Sequence, residues 1–170
     1  GDVDEEIPGV DTVEPAFGLP AIWISEEDEE RAQFAGYTVV DLPTVLATHL
    51  TEILKNHAYE FIGRQETQKL IDTHAETEPK VVEELIPSLL SLGVVQKVLQ
   101  NLLRELVSIR DLHTVLETLA DVAPITKDPE LLTEHVRQSL SRQITRQYQS
   151  QDGLLPLITM NQDLENQIAS

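Results

Sequence analysis

The sequence predicts an α+β fold that is mainly α, in which a small strand–helix–strand unit is followed by a helical bundle. Hydrophobic residues make up 41% of the 170 residues, which is typical of a globular chain with a core. Short apolar and β-branched runs, typical of strands, lie before residue 41. From residue 42 to about residue 150, apolar residues recur at helical spacing, which predicts helices packed against one another.

The strand–helix–strand unit is predicted near the N-terminus. The apolar run Ala21–Ile24 indicates a buried strand. Ser25, with Asp28 three residues later, forms a capping-box pattern for a helix that ends before Gly36. The β-branched run at residues 37–40 predicts the second strand of the unit.

A series of amphipathic helices is predicted after this unit. The apolar spacing places them at residues 42–62, 64–75, 79–86, 94–106, 109–123 and 129–144. Ser108 begins a capping-box pattern, and Asp128 is followed by proline at the first helical position, so both are predicted N-caps. Asp152–Gly153 predicts a turn, residues 154–159 a strand, and Asn161 the start of a last helix.

Both ends of the chain are predicted to be cuts through a larger protein. The strand pair near the N-terminus is too small to form a stable sheet alone, and the strand and helix near the C-terminus have no partners in this sequence. Residues 1–11 are predicted to form a loop or a cut edge, because little in them can contribute to a core.

The charge of the chain excludes some classes of partner. Acidic residues outnumber basic residues 30 to 12, and the formal net charge is −18. Phosphate backbones and anionic lipid would both be repelled, so nucleic-acid binding and docking on an anionic membrane are not expected. Residues 1–35 hold eleven of the acids and one base. This segment is either a solvated face or an acidic rim that steers a basic partner.

No motif in the sequence predicts catalysis, a metal or a cofactor. The chain has no cysteine, and it lacks the GxSxG, P-loop and GxGxxG patterns. The five histidines are His49, His57, His74, His113 and His135, and none occurs in a zinc-binding spacing. His49 and His57 share a helix face but lie about 12 Å apart along it, too far to share a metal. Residues 94–122 suggest a helix-turn-helix, but its second helix is too acidic to read DNA.

Seven stretches of the sequence resemble one protein family, in register and in order. They are EPAFGLPAIWI at residues 14–24, GYTVVD at 36–41, TVLATHL at 44–50, GRQE at 63–66, VLQNLL at 98–103, SIRDL at 108–112 and LTEHVR at 132–137. Together they resemble the FlhA family (FHIPEP) of type III export-gate proteins, over residues 7–146. The GRQE and VLQNLL stretches resemble the flagellar branch of the family, and a virulence (injectisome) export-gate homologue is the alternative.

The resemblance implies a docking platform for protein secretion rather than an enzyme. The whole protein would also have a multi-span membrane domain, and this part would lie at the cytoplasmic face of the bacterial inner membrane. The implied partners are flagellar chaperone–substrate complexes, the ATPase complex of the export apparatus, other export-gate proteins and further copies in a ring of nine. No nucleic acid, cofactor, metal or catalytic residue is implied.

The resemblance also assigns the chain to subdomains. Residues 1–41 would be part of a small inserted α/β subdomain, and 42–61 a helix that returns to the first subdomain. Residues 62–148 would form a helical subdomain, and 149–170 would begin a C-terminal α/β subdomain. The predicted elements change at similar places, from α/β to all-α near residue 62 and back near residue 150.

The resemblance places a chaperone- and substrate-binding site on Glu14, Phe17 and Thr48. Phe17 lies between Pro15 and Gly18, in a turn-prone stretch without the periodicity that would bury it, so it is a candidate hot spot. The alternative is that Phe17 is a core residue of the small subdomain. Thr48 lies on a strongly amphipathic helix but outside its apolar stripe.

Two classes of function therefore stay open from the sequence. The first is the docking platform of a flagellar secretion machine. The second is an unrelated acidic helical domain that binds other proteins. An enzyme is a distant third, because no catalytic pattern is present.

Overall fold

The computed structural model describes residues 6–157 and 161–169, and it confirms the predicted α+β class with a helical majority. The chain divides into two compact units between Ala58 and Tyr59. The first unit contains strands β1 (Val10–Val13) and β2 (Pro20–Trp23) and helices α1 (Glu29–Phe34) and α2 (Leu42–Asn56). The second contains α3 (Arg64–Ala75), α4 (Pro79–Glu84), α5 (Leu92–Arg104), α6 (Leu112–Val122), α7 (Pro129–Ser139), α8 (Ser141–Tyr148) and α9 (Gln162–Ala169).

The sheet of the first unit is an antiparallel hairpin of β1 and β2. Val10 pairs with Trp23 and Val13 with Pro20. The predicted strand at residues 21–24 is therefore nearly correct, but its partner comes from the residues before it. Part of the segment 1–11, expected to be a loop or cut edge, belongs to β1, and its Ile7 is buried.

The predicted second strand at residues 37–40 is wrong, because these residues form no strand. The N–H of Tyr37 donates to the carbonyl of Ala32 at 3.0 Å, so it completes the end of α1 instead of entering a sheet. Gly36 has φ +90°, which suits glycine at a helix C-terminus. A small core gathers Ile7, Ala32 and Ala35, with Ile22, Ile24, Tyr37 and Val39 packed against it.

The start of α1 differs from the predicted capping box. Residues Glu26–Asp28 form a 3₁₀ turn before the α-helix, and Ser25 makes no side-chain bond to a backbone N–H. Its hydroxyl donates to the carboxylate of Asp28 at 2.7 Å. The side chains therefore bond to each other, because the tighter 3₁₀ turn replaces the first α-helical turn.

Helix α2 begins as predicted but is shorter. The carboxylate of Asp41 accepts a hydrogen bond from the N–H of Thr44 at 3.0 Å, so Asp41 caps the helix. The helix ends at Asn56, and residues Ala58–Phe61 form a 3₁₀ turn where the sequence predicted continued α-helix.

The helices α3 to α8 surround one aliphatic core in the second unit. Helix α5 contributes the central stripe of Val95, Val98, Leu99 and Leu102, all fully buried. The other buried apolar residues of this core are Ile71, Leu85, Leu90, Val107, Val115, Leu116, Leu119, Ala123, Leu132, Val136 and Leu140. One polar pair lies inside: the side-chain amide of Asn101 donates to the hydroxyl of Thr133 at 3.2 Å.

The helix caps of the second unit correct one prediction and confirm another. Asp111, not Ser108, is the N-cap of α6, because its carboxylate accepts from the N–H of Thr114 at 3.1 Å. The Ser108 hydroxyl accepts from Arg110 N–H at a longer 3.4 Å, before the helix starts. Asp128 caps α7 as predicted, with Pro129 at the first helical position.

The C-terminal segment contains the predicted turn and last helix. Gly153 has φ +75° and its N–H donates to the carbonyl of Ser150, which forms the turn. The strand predicted at residues 154–159 does not form over 154–157, and residues 158–159 lie outside the described part. Helix α9 follows Asn161 as predicted.

Candidate partner-binding site

The loop between β1 and β2 is held by the side chain of Glu14. Its two carboxylate oxygens accept hydrogen bonds from the N–H of Ala16 at 2.9 Å and of Phe17 at 2.7 Å. The backbone closes the same turn, since Gly18 N–H donates to the Glu14 carbonyl and Glu14 N–H to the Leu19 carbonyl. An acid that caps its own loop in this way makes charge-assisted hydrogen bonds, which are stronger than neutral ones. Glu14 therefore sets the conformation of the loop.

Phe17 is presented at the tip of this loop and is not a core residue. Its side chain is 62% exposed, and Gly18 next to it has φ +69°, a conformation that glycine adopts without strain. The alternative that Phe17 is buried in the small unit is therefore wrong for this chain. An exposed aromatic on a hydrogen-bonded loop loses little conformational entropy when a partner covers it.

Thr48 lies on α2, where it is half-buried. It shares this face with Val45, His49 and Glu52, which follow helical spacing. In the described part of the chain, no side-chain hydrogen bond joins Thr48 to the Glu14–Gly18 loop. The structure thus places Glu14 and Phe17 together in one loop, and Thr48 on a separate element of the same unit.

The apolar stripe of α2 is exposed, which the sequence did not predict. Leu42, Leu46, Leu50, Ile53 and Leu54 are between 43% and 59% exposed. Helical spacing alone shows that such a stripe exists but not whether the chain itself covers it. A stripe of this kind on one helix face is typical of a surface that packs against another protein segment.

The electrostatics of the first unit are acidic. Glu26, Glu27, Glu29 and Glu30 are exposed around the start of α1. Arg31 approaches Asp28 at 3.9 Å, an exposed pair that solvent screens and that contributes little to stability. The acids therefore leave a negative surface, which favours the approach of a basic partner.

The pKa of one carboxyl group in this unit is shifted. The hydroxyl and the backbone N–H of Thr44 hold the pKa of Asp41 below its ordinary value of 3.8, because hydrogen bonds favour the ionised form. Asp41 therefore stays charged at neutral pH and keeps its position at the start of α2.

No helix in the part of the chain that the structure describes has both the length and the apolar character needed to cross a membrane.

Comparison with known proteins identifies a family. The chain is 52% identical to the flagellar biosynthesis protein FlhA of Bacillus subtilis over 166 residues, which are 98% of this chain and 24% of that protein. Its fold matches the Chlamydia pneumoniae CdsV protein with a TM-score of 0.82 and 30% identity, over 96% of this chain and 47% of that one. It also matches nonameric SctV-C of EPEC with a TM-score of 0.74 and 30% identity, over 98% and 51% of the two chains.

The chain spans about a quarter of the length of that curated relative. The profile of the FHIPEP family matches all of residues 1–170. This agrees with the seven stretches that resemble the family in the sequence. The chain therefore belongs to the FHIPEP family.

Proposed function

We propose that this chain forms part of the cytoplasmic docking platform of a flagellar type III protein export gate. In that platform it binds chaperone–substrate complexes, and it catalyses no reaction. Family membership and identity to a flagellar biosynthesis protein support the export role. The observation that carries the binding role is the exposure of Phe17 on a loop whose backbone is held by Glu14.

The proposed binding residues have different parts in the contact. Phe17 inserts into an apolar pocket of the partner, because a few buried side chains, often aromatic, contribute most of the binding energy of an interface. Glu14 positions Phe17 through its two hydrogen bonds, and it adds negative charge close to the contact. Thr48 contributes a polar group from α2, at the edge of the same contact.

The wider setting follows from the family. We propose that residues 1–41 belong to a small inserted subdomain, 42–61 to the first subdomain, 62–148 to a helical subdomain and 149–170 to the start of a C-terminal one. The exposed stripe of α2 supports this, since a helix that returns to another subdomain needs an apolar face for it. The platform would assemble as a ring of nine copies at the inner membrane, together with the ATPase complex and other export-gate proteins.

The test measures binding of a flagellar chaperone–substrate complex to the complete cytoplasmic domain by calorimetry. Phe17→Ala should weaken binding by more than about 1 kcal/mol, which is roughly fivefold in affinity. Phe34→Ala is the matched control, because Phe34 lies in the same unit and is 90% exposed. Phe34→Ala should bind as the parent does.

A second pair of variants separates the two parts of Glu14. Glu14→Gln keeps one carbonyl acceptor for the loop and removes the charge, whereas Glu14→Ala removes both. If Glu14 acts by positioning Phe17, Glu14→Ala should weaken binding as much as Phe17→Ala, and Glu14→Gln should weaken it less. If the folded Phe17→Ala variant bound with the same affinity as the parent, Phe17 would not be part of the site, and the proposed binding role would be wrong.

A further inference from the structure

Three side chains outside the proposed binding site lie close together in the second unit. They are His74 in the last turn of α3, Glu78 at the start of α4 and His113 in the first turn of α6. One potential ligand atom of each lies within 4.8 Å of those of the other two. No metal site was predicted from the sequence, because none of the five histidines occurs in a zinc-binding spacing.

One ring nitrogen of His74 has no hydrogen-bond partner. The Nε2 atom of His74 is buried and makes no hydrogen bond to any described residue. A buried nitrogen without a partner is costly, and such atoms are rare in native proteins. A bound ion that accepts an imidazole lone pair would satisfy it. The unpartnered nitrogen is thus an observation independent of the clustering.

The backbone holds two of the three ligands close together. The carbonyl of His74 accepts from the N–H of Glu78 at 2.9 Å and from the N–H of Thr77 at 3.1 Å. The hydroxyl of Thr77 donates to the same carbonyl at 3.0 Å. This turn keeps residues four apart on one side of the chain after α3 has ended, as within a helix.

The third ligand comes from α6, whose first turn is fixed by the Asp111 cap. The Nδ1 atom of His113 lies 2.6 Å from a carboxylate oxygen of Glu78. The rings of His74 and His113 are 6.0 Å apart between centroids, with an angle of 38° between their planes. Ligand atoms on a tetrahedral zinc ion lie about 3.3 Å apart. Small side-chain rotations would therefore suffice to separate His113 Nδ1 from the Glu78 oxygen and to bring a ring nitrogen of His74 closer to both.

The donor set selects the class of ion. Two imidazole nitrogens and one carboxylate suit Zn²⁺ and related divalent transition metals, whereas Mg²⁺ and Ca²⁺ prefer oxygen ligands. Glu78 and His113 are about half exposed, which leaves a coordination position open to water. We propose that His74, Glu78 and His113 bind one divalent transition-metal ion of the Zn²⁺ class. The ion would link the turn after α3 to the start of α6.

The consequence of binding is a more stable second unit. An ion that binds the folded chain and not the unfolded one raises stability by mass action. The proposal does not depend on the docking function, because metal binding and partner binding are separate measurements.

The experiment uses the full chain without an affinity tag, made metal-free with a chelator. We expect calorimetry to detect one Zn²⁺ ion per chain, Co²⁺ to give the visible absorption of a tetrahedral site, and Mg²⁺ to give no signal. Zn²⁺ should also raise the thermal unfolding midpoint. His113→Ala and Glu78→Gln should each weaken Zn²⁺ binding at least tenfold.

His135→Ala is the matched control, since His135 is an exposed histidine on α7 outside the cluster. It should bind Zn²⁺ as the parent chain does. A cooperative thermal unfolding transition of each variant in the presence of chelator shows that the variant is folded before metal is added. Absence of Zn²⁺ binding by the parent would overturn the proposal, and so would a folded His113→Ala variant with unchanged affinity. In either case the contact between His113 and Glu78 holds no metal ion.

Discussion

Truncation of Leu102 should show how much of the stability lies in the core of the second unit. Leu102 is completely buried on α5, where it extends the stripe of Val95, Val98 and Leu99. Leu102→Ala removes three carbon atoms, and their transfer contributes about 2.4 kcal/mol at roughly 0.8 kcal/mol for each. The cavity left behind adds to this, which brings the expected loss to about 2.7–5 kcal/mol.

The assay is urea denaturation followed by far-ultraviolet circular dichroism, with the m-value fitted for each variant. Helices of the second unit dominate this signal, because most helical residues lie there. Leu131→Ala is the matched control, since it makes the same change at an exposed position on α7 of the same unit. That control should change the free energy of unfolding by less than about 0.5 kcal/mol.

Two results would contradict this prediction. A loss below about 1 kcal/mol for Leu102→Ala would mean that the core collapses around the truncation or that α5 is not its centre. An equal loss for Leu131→Ala would mean that the burial of the truncated side chain does not set the cost of its removal.

Three further predictions concern helix ends. Asp111→Ala should lower the free energy of unfolding by about 0.5–2 kcal/mol in chemical denaturation, and Ser108→Ala should lower it by less than half as much. The reverse order would indicate that Ser108 is the N-cap of α6. The pKa of Asp41 is lower in the folded chain than its ordinary value of 3.8, so ionised Asp41 stabilises the fold above pH 3.8, and this stabilisation is lost as the pH falls through the folded pKa. Asp41→Asn should therefore make the free energy of unfolding depend less on pH in the acid range. A pH profile identical to that of the parent chain would contradict this. Leu106 has φ +58° and a half-exposed side chain, so Leu106→Gly should relieve backbone strain and raise the thermal midpoint. A lower midpoint would contradict this.

Local patterns in the sequence determined the elements whose causes lie within about four residues along the chain. The stripe on α5 was predicted because helical spacing places its apolar residues on one face of the helix, and in the structure that face is buried. Asp128 with Pro129, and the turn at Gly153, were predicted because a cap or a turn is satisfied by its immediate neighbours. The family was also evident from the order of seven short stretches, and the profile match confirms it.

Which elements meet depends on packing between parts of the chain that are distant in sequence. Residues 37–40 were predicted to be the second strand, but residues 10–13 pair with β2 instead, and the N–H of Tyr37 completes the end of α1. Phe17 had two interpretations from its sequence, and its exposure depends on how Glu14 closes the loop.

The exposed stripe of α2 and the cluster of His74, Glu78 and His113 also depend on tertiary packing. The stripe of α2 has the spacing of a core helix, yet it is exposed, since spacing does not say what covers a face. His74 and Glu78 are four residues apart, but nothing in the sequence joins them to His113. Their meeting depends on the packing of α4 against α6. Contacts between residues distant in sequence arise from the packing of whole elements, which no short window of sequence contains.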